Sequence, residues 1–153
     1  MSNGRKIITR NRKASHDYHL MDRYDAGLVL MGSEIKSIRD NRINLKDGFV
    51  QEKGSELWLM NVHISPYKQA KTFGHSNPIR PRKLLLHRRE INQIIGKIRE
   101  SGYTAVPVVV YLENGRAKVE VALAKGKKQY DKRETIAKRD ADRQIRRALK
   151  ENS

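Results

Sequence analysis

Few side chains in this sequence are spaced for reaction chemistry. His16 and His19 flank Asp17 in an H-x-x-H arrangement that could begin a metal site, but a zinc centre needs a third protein ligand and a base held on a stable element. Asp25 and Glu34 flank a candidate strand and could serve acid–base work or a magnesium-dependent nuclease; nothing in their spacing brings them together. Serines 33, 37, 55, 65, 76 and 101 lack the Gly-x-Ser-x-Gly setting of a nucleophile elbow. Gly96, Gly102, Gly115 and Gly126 form no phosphate loop of the G-x-x-x-x-G-K kind. The chain has no cysteine, which excludes disulfides, thiolate nucleophiles and Cys-ligated metals together. The expectation is a protein without catalytic residues, metal or cofactor.

Charge supplies the functional signal instead. Lys and Arg number 33 against 17 Asp and Glu, a net charge of +16, and so large an excess calls for a polyanionic partner. No apolar run approaches the ~18 residues of a spanning helix, and residues 1–10 lack the apolar stretch of a secretory signal. The expected partner is therefore nucleic acid rather than membrane, and the expected location cytoplasmic. The charge is concentrated at the two ends: residues 1–13 hold five basic side chains and no acidic one, and residues 125–153 hold 11 basic against five acidic. This predicts a basic N-terminal arm (1–13), an RNA-binding body (14–125) and a basic C-terminal tail (126–153).

The elements that would carry these charges are mostly strands. Alternating apolar residues mark Gly27–Leu30 and Glu56–Ile64. The clearest hairpin joins Val106–Leu112 to Ala117–Leu123 through Asn114-Gly115, a pair suited to a type I′ turn; Pro107, without an N–H, is expected at a strand end or sheet edge. The spacing of Leu84, Leu85, Ile91, Ile94, Ile95 and Ile98 predicts a helix over about 83–100 that Gly102 ends. A shorter helix is predicted over Ser33–Arg39, with Ser33 as cap, Ile35 and Ile38 inward, Lys36 and Arg39 outward. Trp58 is expected in or beside the core, and residues 66–81 as a long loop. About six strands with two or three peripheral helices fit a mainly β fold, a small OB-like antiparallel barrel. From Asp131 onward a thin stripe of Ala137, Ala141, Ile145 and Leu149 encodes a helix with little to bury, so the tail is expected to be mobile and disordered alone and to fold against RNA.

Several strings resemble the SmpB, or SsrA-binding, family in order and spacing. They are Asn11-Arg12-Lys13-Ala14 with His16 and Tyr18, Ala26-Gly27, Gly32 to Arg39, Pro66-Tyr67, Arg82-Lys83-Leu84-Leu85-Leu86, and Ala124 to Lys128 followed by Asp131-Lys132-Arg133. The resemblance spans about Asn11 to Asp140. It implies a non-catalytic protein that binds the tRNA-like domain of transfer-messenger RNA and delivers it to stalled bacterial ribosomes for trans-translation. It also implies indirect partnership, through the RNA, with elongation factor Tu with GTP and alanyl-tRNA synthetase. By resemblance, Asn11, Arg12, Lys13, Asp25, Lys36, Arg39, Arg82, Lys83, Leu85, Gly126, Lys127 and Lys128 contact RNA. Tyr130, Asp131, Lys132, Arg133, Lys138 and Arg139 belong to the tail that becomes helical in the empty mRNA channel near the decoding centre. Asp25 stands where the family generally has glutamate, and Ala137 at an often basic position. From composition alone, a structural ribosomal protein with a barrel core and basic extensions is the alternative.

Overall fold

A computed structural model describes residues 5–66 and 77–127. The readings placed on Tyr67–Ser76 and on Lys128–Ser153, including the tail helix and Lys128, Tyr130, Asp131, Lys132, Arg133, Lys138 and Arg139, lie outside the described residues. The elements, in chain order, are β1 (Arg5–Arg10), α1 (Arg12–Asp17), β2 (Tyr18–Leu28), α2 (Gly32–Arg39), β3 (Ile43–Asn44), β4 (Phe49–Lys53), β5 (Glu56–Met60), β6 (His63–Ile64), β7 (Arg82–Leu85), α3 (Arg88–Ile98), β8 (Tyr103–Glu113) and β9 (Arg116–Gly126).

Seven strands form one antiparallel sheet in the order β1-β8-β9-β2-β7-β5-β4, and β3 pairs with β6. The mainly antiparallel β architecture with three helices agrees with expectation, while the described strands number nine rather than about six. The sheet curls until β4 packs against β8, yet its end strands β1 and β4 do not hydrogen-bond to each other, so the expected barrel is not closed. The expected N-terminal arm is partly built into the body: β1 pairs along its length with β8, from Arg5 opposite Glu113 to Arg10 opposite Val109.

The hairpin follows the sequence closely. Asn114 and Gly115 take φ of 52° and 77°, the left-handed pair a type I′ turn requires. Pro107 lies beyond the stretch of β8 that β1 pairs, Val109–Glu113, so only β9 is bonded beside it, the edge setting expected for a residue without an N–H. It is accommodated at a bulge, where the β8–β9 register slips between Pro107 and Val109 and the missing N–H costs no ladder bond. The bulge also reverses the alternation, so Ala105 and Val110, an odd number of residues apart, both face the main core with Val119, Val121 and Leu123 of β9. On the opposite face Val108, Val109, Tyr111 and Ala122 form a second small cluster.

The long helix predicted from Lys83 is shorter. Arg82–Leu85 is a strand hydrogen-bonded on one side to β2 and on the other to β5, and α3 starts only after His87, where Glu90 accepts a hydrogen bond from the His87 N–H at 3.2 Å. Two flanking strands with unpaired edges outweigh helical spacing for four residues; from Arg88 the stripe of Ile91, Ile94 and Ile95 is buried as expected. Helix α2 has Met31 rather than Ser33 as its cap; Ser33 lies inside the helix and is buried. The strand expected over Glu56–Ile64 is broken at Asn61, which has φ of 58°, and Trp58 is half-buried, its indole N–H donating to the Lys53 carbonyl at 3.3 Å.

Candidate nucleic-acid interface

Each strand of the curled sheet turns one row of side chains away from the core. On β2, Ala26 is buried and Asp25 is exposed; on β7, Leu84 is fully buried while Leu85 is 51% exposed. The register places Gly27 opposite both Leu85 of β7 and Lys118 of β9. Asp25, Gly27, Leu85, Leu86, His87, Glu90 and Lys118 therefore line one shallow concavity. Strand parity accounts for the contrast, since Leu84 points into the core and Leu85 away from it. Gly27 makes room for Leu85: a Cβ there would lie 3.3 Å from the Leu85 Cβ.

Asp25 is held from behind. The Tyr111 hydroxyl donates to Asp25 Oδ1 at 3.0 Å, and the Arg5 guanidinium covers the Tyr111 ring at 4.1 Å from its centroid. Burial, then the hydrogen bond to Asp25, pushes the Tyr111 hydroxyl up to about 12, so it remains a donor throughout the physiological range. Beside it, Arg23 pairs with Glu120 at 2.8 Å. This face mixes both signs of charge with an apolar side chain. It suits base edges, which specify, better than phosphates, which mainly position.

A second cluster surrounds α1. Asn11 is buried: its side-chain amide donates to the Leu45 and Pro107 carbonyls at 3.1 and 2.9 Å, and its Oδ1 accepts from the Ala14 N–H at 3.1 Å, capping α1. All three bonds are internal, so Asn11 fixes the helix that presents Arg12 and Lys13 to solvent. Lys13 pairs with Asp47 at 3.3 Å, and a cleft below it is lined by Tyr18, Lys46, Phe49 and Thr104. The end of β9 arrives at the same place: Gly126 is opposite Tyr18, and the Lys127 N–H donates to the Asp17 carbonyl at 2.9 Å. The structure thus brings together Asn11, Arg12, Lys13, Gly126 and Lys127 in one group, and Asp25 and Leu85 in another.

The remaining expected residues fall elsewhere. Lys36 and Arg39 are on the exposed side of α2, with Arg39 donating to the Gly115 carbonyl at 3.3 Å. Lys83 is half-buried on β7. Arg82 is a correction: its side chain is 0% exposed, as is that of Glu34, and it cannot reach RNA from there. Its guanidinium donates to Glu34 Oε2 at 2.7 Å and to the carbonyls of Val62 and Pro78 at 2.6 and 3.0 Å. Glu34 Oε1 takes Arg80 and the Met31 N–H. The two carboxylates weighed for nuclease chemistry thus occupy different settings, Glu34 sealed between arginines and Asp25 exposed against Tyr111. His16 pairs with Asp17 at 2.9 Å. Sequence reasoning missed Lys118, Gly27 and Tyr111. The first two were accessible once the hairpin register was extended to β2; the contact of Tyr111 with a residue two strands away had no sequence signal.

The SmpB protein family matches residues 8–151. The chain is 57% identical over 147 residues to the SsrA-binding protein of Enterococcus faecalis, covering 96% of this chain and 95% of that one. It is 56% identical over 146 residues to the SsrA-binding protein of Geobacillus kaustophilus, covering 95% and 94%. Among solved structures, a chain from work described as "tmRNA-SmpB: a journey to the center of the bacterial ribosome" superposes with a TM-score of 0.69 at 37% identity, covering 85% of this chain and 94% of that one. With its sequence matched almost end to end and its fold matched over most of its length, this chain belongs to the SmpB family.

Proposed function

We propose that this protein binds transfer-messenger RNA and carries it to stalled ribosomes for trans-translation. The face formed by Asp25, Leu85 and Lys118 takes the tRNA-like domain, and the basic group around Arg12, Lys13, Gly126 and Lys127 contributes phosphate contacts. Residues from Lys128 onward, with Tyr130, Asp131, Lys132, Arg133, Lys138 and Arg139, engage the small-subunit rRNA in the empty mRNA channel. Elongation factor Tu with GTP and alanyl-tRNA synthetase meet the protein through the RNA. The observation that carries this reading is the half-exposed Leu85 beside an exposed carboxylate and a lysine, in a chain of net charge +16. Its relatives are named for binding SsrA RNA.

The test compares binding of the full chain, Leu85→Ala and Lys118→Ala to transfer-messenger RNA and to a control RNA of equal size. Loss of one good contact of ~1.4 kcal/mol weakens binding tenfold, so Leu85→Ala should lose about tenfold affinity and most of the discrimination. Lys118→Ala should lose affinity with a salt slope shallower by about one if Lys118 meets a phosphate. Wild-type affinity and selectivity in both variants would remove RNA recognition from this face.

A further inference from the structure

The side chain of Tyr111 does something unusual for a residue on β8. Asp25 is on β2, and β9 runs between the two strands. Adjacent strands are ~4.8 Å apart, so the link has to cross two spacings. Tyr111, opposite Lys118 of β9, spans the gap across that strand on the face of the small cluster it forms with Val108, Val109 and Ala122. It ends with its hydroxyl 3.0 Å from Asp25 Oδ1. The ring is 1% exposed although it lies on the outer face, because Arg5 of the edge strand closes over it and also reaches the hydroxyl at 3.4 Å. Among the described residues, Asp25 Oδ2 has no hydrogen-bond partner.

We propose that Tyr111 is a positioning residue for RNA recognition, locking the Asp25 carboxylate so that Oδ2 stays aimed at a donor on the RNA. This rests on the assignment of the Asp25–Leu85 face to RNA. A carboxylate repels phosphate, so its use at such a face is to accept from a neutral donor: the N1–H and N2–H edge of a guanine, another base amino group, or a ribose 2′-hydroxyl. An exposed aspartate otherwise turns freely about two side-chain torsions, and binding must then freeze it. Tyr111 removes that cost before the RNA arrives. Arg5 in turn holds the tyrosine ring, so β1 supports the site without touching the ligand.

The test is a double-mutant cycle on the full chain with Asp25→Ala, Tyr111→Phe and the pair, measured as equilibrium affinity for transfer-messenger RNA at two salt concentrations, with melting curves in parallel. Asp25→Ala should weaken binding about tenfold and Tyr111→Phe about three- to fivefold, and the double variant should bind like Asp25→Ala alone. Tyr111→Phe should keep the wild-type salt slope, since no phosphate contact is lost. Arg5→Gln, which uncovers the ring and leaves the hydroxyl in place, gives a second reading on the same coupling if Tyr111→Phe melts below the assay temperature; its loss too should vanish in the Asp25→Ala background. Losses that multiply in the double variant, or a Tyr111→Phe protein with wild-type affinity beside a weakened Asp25→Ala, would overturn the positioning role and leave the face intact. Wild-type affinity in Asp25→Ala would overturn the carboxylate's role and with it that of Tyr111, whereas the face itself falls only if Leu85→Ala and Lys118→Ala also bind like wild type.

Discussion

Replacing Glu34 with glutamine should be among the most damaging conservative changes in this chain. The carboxylate and the Arg82 guanidinium are both 0% exposed, and Glu34 joins α2 to β7 while Arg82 reaches on to the Val62 and Pro78 carbonyls. Glutamine keeps the size and one acceptor oxygen but strands a buried cation, and removing one partner of a buried ion pair costs about 3–5 kcal/mol. The lower figure suits this near-isosteric change. At about 4 °C per kcal/mol for a domain of this size, melting should fall by about 12 °C at neutral pH. The difference should depend on acidity. Burial pushes the Glu34 carboxyl up, but hydrogen bonds from Arg80, Met31 and Arg82 outweigh it and hold it below its ordinary value. A carboxyl lowered by folding contributes stability that is complete above its unfolded pKa, ~4.3, and is lost as pH falls through the folded value. Wild type should therefore lose stability in acid that Glu34→Gln has already lost, and the two curves should converge. Urea unfolding followed by circular dichroism from pH 7 to pH 3 measures both effects. A deficit below about 1 kcal/mol at pH 7, or one that does not narrow in acid, refutes the reasoning.

Two further stability changes follow from close packing and from capping. A Cβ at Gly48 would lie 2.6 Å from Val62 Cγ2 and 2.8 Å from Pro107 Cγ, so Gly48→Ala should destabilise by about 1–3 kcal/mol through overpacking, seen as a lower urea midpoint at unchanged slope; an unchanged midpoint would mean the neighbours yield freely. Asn11→Ala removes the α1 cap and leaves the Leu45 and Pro107 carbonyls short of a donor. It should cost about 2–3 kcal/mol in chemical denaturation and weaken RNA binding only as far as α1 loosens, so a large affinity loss with wild-type stability would show that Asn11 touches RNA itself.

The parts of the fold that local rules govern were legible. The Asn114-Gly115 turn, the alternation on both sides of it and the buried stripe of α3 all follow from residues a few positions apart. The helix that gave way to β7 was not, since Arg82–Leu85 is extended only because β2 and β5 offer hydrogen bonds on both sides, and those partners are far away in sequence. The same limit applies to the candidate site. Leu85 could be named by resemblance, but its neighbour Leu84 has the same composition-level signature and is buried; strand parity alone separates them. Arg82 shows the opposite failure: a guanidinium in a basic chain was expected on the surface, and a carboxylate 48 residues earlier in the sequence drew it inside. Tyr111 needed the three-dimensional register of β8, β9 and β2 before its role could be posed.

The charges on β1 have a consequence for self-association. Among the described residues, β1 and β4 end the sheet without pairing to each other, and a strand at a sheet end carries backbone groups to which a second chain could add a strand. The β1 edge carries Arg5, Lys6 and Arg10 in solvent around the half-exposed Ile7, and its register slips between Ile7 and Thr9. A like-charged, irregular rim repels a copy of itself while remaining attractive to a polyanion. The same three cations can thus discourage strand-by-strand stacking of the free protein, a safeguard that would weaken at high ionic strength as screening removes the repulsion.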